Sequence, residues 1–218
     1  MIPSSDKAQL QELFKEKLLN EVKLIVFTQE TECRFCQETR QLVDELSSLS
    51  DKIMFESYDF VKDVDKANDY GVDKIPAVLI VGERDYGIRF YGLPSGYEFA
   101  SLIEDILDVS SGVTHLSQET KNRLKTLNKP IHIQVFVTPT CPYCPRMVRL
   151  AHQFAIETTF IKADMVEAVE FPQLVYKYRV MGVPKVVINE TTEFVGMLPE
   201  ELFLAQVLRS IGSPSMVV

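Results

Sequence analysis

The sequence has no spare cysteine. Its 218 residues include four, and all four fall in two Cys-x-x-Cys motifs, Cys33-Arg34-Phe35-Cys36 and Cys141-Pro142-Tyr143-Cys144. No thiol is left over for structural bridging. No apolar run approaches the roughly 20 residues needed to cross a bilayer. The opening Met1-Ile2-Pro3-Ser4-Ser5-Asp6-Lys7 lacks the basic-then-apolar form of a secretory leader. The expectations are therefore no membrane and a cytoplasmic location. Cations are in deficit: 23 Lys and Arg stand against 31 Asp and Glu, a net charge of −8 and a pI near 5.0. That balance argues against a nucleic-acid surface. No G-x-G-x-x-G fingerprint is present, so no dinucleotide is expected to bind here. The three histidines, His115, His132 and His152, share no ligand spacing and read as structural or exposed. Two Cys-x-x-Cys pairs can hold zinc or an iron–sulfur cluster. Here 105 residue steps separate Cys36 from Cys141, so no shared metal site is expected.

What is present is a repeat. Cys33 and Cys141 lie 108 residues apart, and each is followed 43 residues later by a proline, Pro76 or Pro184. Tyr70-Gly71-Val72-Asp73-Lys74-Ile75-Pro76 matches Tyr178-Arg179-Val180-Met181-Gly182-Val183-Pro184. Phe90-Tyr91-Gly92-Leu93-Pro94 is answered by Phe194-Val195-Gly196-Met197-Leu198-Pro199. A period this long indicates duplicated domains rather than a solenoid. The small and polar stretch Val109–Thr114 places the boundary between units 1–112 and 113–218.

Each half reads as helix, strand, helix, strand, helix, two strands and a closing helix. In the first, Ser4 or Ser5 is expected to cap a helix carrying Leu10, Leu13, Phe14 and Leu18 on one stripe. Strands follow at 22–28, 53–58, 77–81 and 86–91, the last two as a hairpin. Ser95-Gly96-Tyr97-Glu98 has the form of a capping box. In the second half, Ser117 caps a helix. Strands are expected near 131–138, 157–163, 185–189 and 193–196, with helices near 142–154, 168–178 and 200–210. The fold class is α/β, with each unit a mixed sheet flanked by helices.

The spacing of the cysteines suits dithiol–disulfide exchange. A cysteine at a helix N-terminus meets unpaired N–H groups and the positive end of the dipole. Its thiolate is stabilised below the ordinary thiol range near 8.5. A second cysteine one turn inside can then attack the mixed disulfide and release the substrate. Cys33 and Cys141 are thus the expected nucleophiles, with Cys36 and Cys144 resolving. Pro142 suits a first helical position. Arg34 adds a positive charge beside Cys33, so the two pairs are expected to differ in reduction potential.

Cys-Pro-Tyr-Cys is similar to the motif of glutaredoxins, and both halves look like thioredoxin-fold units. Two such units in one chain resemble the protein disulfide oxidoreductases of hyperthermophiles. The resemblance implies that Pro76 and Pro184 are cis and face the cysteine pairs. It implies that Ile75 and Val183 present backbone groups to an extended substrate. It further implies protein disulfide or dithiol substrates, no bound cofactor beyond the redox-active disulfides, and recharging by a separate flavoprotein of the thioredoxin-reductase kind. The chain departs from many thioredoxins at the buried acid six residues before the first cysteine. Phe27 and Val135 stand there. The glutathione pattern of glutaredoxins is not evident, so glutathione is not expected as an obligate partner. One alternative is a dedicated relay carrying electrons from a flavoprotein to a peroxidase-type partner. Another is a chaperone or interaction scaffold in which the thiols matter little.

Overall fold

A computed structural model of the protein describes residues 2–212. The first half comprises α1 (Ser4–Lys17), β1 (Val22–Thr28), α2 (Cys36–Ser47), β2 (Ile53–Asp59), α3 (Val64–Tyr70), β3 (Ala77–Val81), β4 (Asp85–Tyr91) and α4 (Glu98–Ser111). The second comprises α5 (Gln118–Leu124), β5 (Ile131–Val137), α6 (Cys144–Glu157), β6 (Ile161–Glu167), α7 (Pro172–Lys177), β7 (Lys185–Ile188), β8 (Thr192–Val195) and α8 (Glu200–Ser210).

All eight strands form one sheet, in the order β2-β1-β3-β4-β6-β5-β7-β8. This is one four-strand pattern written twice. Within each copy the first pair is parallel and the next two pairs are antiparallel. The copies join head to tail: β4 pairs in parallel with β6, the counterpart of β2, from Ile88 opposite Ala163 to Tyr91 opposite Val166. Periodicity within each half foresees two mixed sheets; their fusion is a finding of the structure. The cause lies in β4, which is buried from Tyr86 through Tyr91, as a strand covered on both faces must be. At Gly87, φ is +81° and an added Cβ would lie 2.9 Å from the Ile161 carbonyl oxygen, so only glycine admits the neighbouring backbone.

The strands alternate their side chains between two cores. Leu24 and Val26 of β1 face one side, where α1, α2, α4, α6 and α8 pack. Ile25 and Phe27 face the other, under α3 and α7. Phe14 and Leu18 anchor α1 in the first core. The expected stripe is present, but the cap differs. Ser4 is already helical and Pro3 takes the cap position without a side-chain bond. Ser117 does cap α5, accepting from the Thr120 N–H at 3.2 Å.

Three boundaries move for physical reasons. Helix α6 continues to Glu157 because Ala155 and Ile156 remain in the core, which delays β6 to 161–167. Helix α7 is held to 172–177 by Pro172 in its first turn. Ser95–Glu98 is not a capping box, since the Glu98 carboxylate turns forward and accepts from Ser101 Oγ at 2.8 Å.

Candidate active sites

Strands β1, β4, β6 and β5 all point the same way. Cys33 follows β1 and Cys141 follows β5, so both pairs open on one edge of the sheet. Four strand steps separate β1 from β5, roughly 19 Å at about 4.8 Å per step. Exchange requires sulfur to reach sulfur, so the two pairs do not exchange directly with each other at this separation.

Each pair is a disulfide, with Cα atoms 5.5 Å apart in both. The helices begin at the second cysteine, Cys36 or Cys144, rather than one turn earlier. Phe35 and Tyr143 sit near ψ = 0° at the turn that brings the cysteines together. Pro142 lies in that turn, before the helix, and Pro145 occupies the first helical turn instead. The first cysteine of each pair thus precedes the unpaired N–H groups of a helix start. Cys36, Cys141 and Cys144 are buried, and Cys33 is half-buried.

The Ile75–Pro76 and Val183–Pro184 bonds are both cis, as the resemblance implies. Ala77 pairs with Phe27 and Lys185 with Phe136, which sets each proline beside the strand that leads to its own cysteines. The Pro76 carbonyl accepts from the Gly92 N–H at 2.9 Å, and the Pro184 carbonyl from the Gly196 N–H at 2.8 Å. Ile75 and Val183 are half-buried.

Around these common parts the surfaces differ. At the N-terminal site an open groove of about 600 Å³ is lined by Cys33, Arg34, Glu30, Asp59 and Lys62. The Arg34 guanidinium stacks 5.0 Å from the Phe35 ring centre. At the C-terminal site the rim is apolar and exposed: Tyr143 at 63%, Met181 at 93% and Val195 at 60%. The counterparts of Met181 and Val195 in the repeat are Asp73 and the buried Tyr91. A second opening of about 540 Å³, around Lys23, Met54 and Tyr86, lies at the other end of β1, away from both disulfides. Among the described residues, no group of His, Cys, Asp and Glu side chains is arranged to hold a metal ion. No helix there is long and apolar enough to cross a membrane.

The position of the missing acid is apolar, and a buried acid lies elsewhere, at the start of α4. Phe27 and Val135 are fully buried apolar residues. Helices α4 and α6 run side by side in the same direction. The Tyr97 N–H donates to the Pro139 carbonyl at 3.0 Å, and Thr114 bonds to Glu157. Between these ends, Arg149 meets Glu104, Asp105 and Asp108. That alignment sets Glu98, the first residue of α4, beside the first turn of α6, where Cys144 lies. Glu98 is 1% exposed, and its Oε1 has no hydrogen-bond partner. Burial pushes its carboxyl up to about 7, against a small opposing pull from Ser101. Sequence reading misses this residue because its burial is supplied by the other unit's helix.

Comparison with known proteins adds three findings. A thioredoxin-domain family model matches residues 131–209. An NADH dehydrogenase of Bacillus subtilis (strain 168) is 27% identical over 94% of this chain, but only 38% of that protein is covered. The chain spans about a third of the length of the curated relatives it matches. Two solved structures superpose over nearly the whole chain. The NTD_N/C domain of an alkylhydroperoxide reductase AhpF from Enterococcus faecalis (V583) is 28% identical with a TM-score of 0.87, covering 95% of this chain and all of that one. A protein disulfide oxidoreductase from Aeropyrum pernix K1 is 32% identical with a TM-score of 0.90, covering 97% of this chain and 94% of that one.

Proposed function

The chain belongs to the protein disulfide oxidoreductases built of two thioredoxin-like units, and from that premise we propose that it reduces, forms or reshuffles disulfides in proteins through both cysteine pairs. The carrying observation is that each pair is followed at the same 43-residue interval by a cis proline, both pairs opening on one sheet edge. The units are 1–112 and 113–218, and the chain works in a reducing cytoplasm with the cysteines as its redox centres.

In the reductive direction, the Cys33 or Cys141 thiolate attacks a substrate disulfide. One substrate sulfur leaves as a thiolate and takes a proton. The other forms a mixed disulfide with the enzyme. Cys36 or Cys144 then loses its proton and attacks the enzyme sulfur, which closes the intramolecular disulfide and frees the second substrate thiol. Ile75 and Val183 offer backbone groups to the substrate beside Pro76 and Pro184. For Cys144, Glu98 accepts the proton: a carboxyl poised near 7 is half ionised at neutral pH. The apolar rim of Tyr143, Met181 and Val195 suits exposed hydrophobic segments of a client.

A second reading rests on the full coverage of the alkylhydroperoxide reductase domain. It is a relay from a flavoprotein reductase to one dedicated partner. Reduction of insulin by the parent, Cys33→Ser and Cys141→Ser separates the two. Turnover by the parent, with a partial loss in each variant, supports the general oxidoreductase. No turnover, with rapid reduction of the pairs by NADH and a flavoprotein reductase, supports the relay.

A further inference from the structure

We propose that Glu170, a residue of the second unit, is the proton-transfer group of the first unit's cysteine pair. This rests on the reading of Cys33–Cys36 as an exchange site and names the group that serves it.

The N-terminal pair lacks the buried acid six residues before its first cysteine, because Phe27 is packed there in the apolar core under α3, and the acids of its own groove, among them Glu30, Glu38, Asp59 and Asp63, line an open surface. Among the described residues it also has no counterpart to Glu98, which lies beside the other pair. What it has is the head-to-tail join. Where β6 ends beside β4, the chain turns at Glu167–Glu170 and reaches the loop that closes over Pro76. The Gly92 N–H is bonded to the Pro76 carbonyl, and the next N–H, of Leu93, donates to Glu170 Oε1 at 2.7 Å. The contact is so close that a Cβ on Gly92 would lie 3.0 Å from that oxygen. Glu170 is therefore tied, across the seam, to the loop after β4 that holds the Pro76 carbonyl.

One carboxylate oxygen does the tying and the other is free. Glu170 Oε2 is buried and has no hydrogen-bond partner, a costly state for an ionised carboxylate. Behind it, Glu167 is 4% exposed, gives one oxygen to the Glu170 N–H at 2.8 Å and leaves Oε1 without a partner. Two half-satisfied carboxyls side by side favour holding a proton. The charged groups acting on Glu170 are Glu167 from β6 and Glu38 and Arg34 from the start of α2, the turn that carries Cys36. Burial is the largest influence, offset by the Leu93 N–H, and the carboxyl is pushed up to about 7. A purely structural acceptor for Leu93 would not need an ionisable group.

The step balances. Cys33 holds the substrate as a mixed disulfide, and Cys36 carries a proton. Glu170 takes that proton, directly or through water. The Cys36 thiolate forms a bond to Cys33 Sγ, the bond to the substrate breaks, and the departing substrate thiolate is protonated from solvent. The two electrons of the cysteine pair have passed to the substrate.

The test uses the full chain with Cys141→Ser and Cys144→Ser, so that only the first pair reacts. A reduced sample is mixed with excess disulfide peptide, and the first-order release from the mixed disulfide is followed from pH 5 to 9. The rate is expected to rise through an inflection near pH 7. Glu170→Gln keeps an oxygen for the Leu93 N–H, so it isolates ionisation from structure. It is expected to lose that inflection and to run roughly 100-fold slower at pH 8, the low end of what a positioned acid or base contributes. Glu170→Asp is expected to restore an inflection at a reduced rate. An unchanged pH profile in Glu170→Gln overturns the assignment alone. If the silenced chain forms no mixed disulfide at all, the exchange reading of Cys33–Cys36 falls, and the assignment with it.

Discussion

Helices α2 and α6 hold equivalent places in the two copies, yet their polar faces meet opposite surroundings. At the 108-residue offset, Gln41 and Asp44 of α2 correspond to Arg149 and His152 of α6. Gln41 and Asp44 are exposed. Arg149 and His152 are buried against α4 of the first unit. There Arg149 meets Asp105, Asp108 and, at 3.0 Å, Glu104, while His152 donates to Asp105. Burial, together with the Arg149 charge, holds His152 down to about 3, so it is neutral. Head-to-tail duplication makes the difference: the last helix of the first unit covers the redox helix of the second, and among the described residues no such helix covers Gln41 and Asp44 of α2. The lesson is that identical folds can place their dithiols on unlike supports. Cys144 sits on a helix clamped by ions, and Cys36 on a helix whose matching face is in water.

Breaking the clamp gives the largest expected effect. Arg149→Met leaves Asp105 and Asp108 buried without their cation, and such losses cost about 3–5 kcal/mol. Gln41→Met at the matching place changes stability by less than about 0.5 kcal/mol, as exposed positions do. Urea unfolding at pH 7 measures both. Equal effects would erase the contrast between the helices.

The next effect sharpens the comparison through pH. Burial pushes the Glu98 carboxyl up to about 7 in the folded chain against an ordinary 4.5. Between these values the folded state binds more protons than the unfolded one. Stability therefore falls as pH rises from about 4.5 to 7, and the cost stays constant above that. Glu98→Gln removes the ionisation and keeps an acceptor for Ser101. At pH 8 it is expected to stabilise the chain by up to about 3 kcal/mol, and at pH 4 by almost nothing. The same variant slows resolution by Cys144 and leaves Cys36 alone. Thermal melts at the two pH values, with insulin reduction by each pair, test both halves of the statement. A destabilised variant at pH 8 would mean that the Glu98 carboxylate is stabilised by a partner rather than penalised by burial.

Much of this arrangement was legible in the residues. The 43-residue interval from cysteine to proline paired each dithiol with its proline, because the cysteine loop and the proline loop belong to one unit and their spacing survives duplication, and the family resemblance implied that both prolines are cis. The buried strand β1 and the hairpin of β3 and β4 read directly. What did not read was everything that depends on the seam. Tyr86–Tyr91 is a continuous buried run, but nothing local says that its outer neighbour is β6. Glu98 looked like part of a cap, because a glutamate three residues after a serine has that form. Its burial comes from α6, 46 residues further on. Glu167 and Glu170 carried no signal in the sequence, because the neighbour that covers them belongs to the other unit. Local pattern reports the face a residue turns inward; it does not report which unit will cover it.

The smallest effect tests the seam itself with one atom group. Gly92 and Gly196 are counterparts, each donating to the carbonyl of a cis proline, with φ of +93° and +96°. Alanine at either position must adopt a backbone that costs about 1 kcal/mol or somewhat more. At Gly196 that is the whole cost, since an added Cβ meets nothing within 4 Å. At Gly92 the Cβ would lie 2.6 Å from the Glu167 Cβ, an atom close to the main chain that cannot swing away. The end of β6 must then shift, and Glu170 moves with it from the Leu93 N–H. Gly92→Ala is expected to be about 1 kcal/mol worse than Gly196→Ala in urea unfolding, in line with overpacking at a tight contact. It should also slow the Cys33–Cys36 pair while Gly196→Ala leaves that pair untouched. If the two variants cost the same and the first pair keeps its rate, the second unit does not press on the first unit's proline loop, and the asymmetry between the sites must come from their own loops alone.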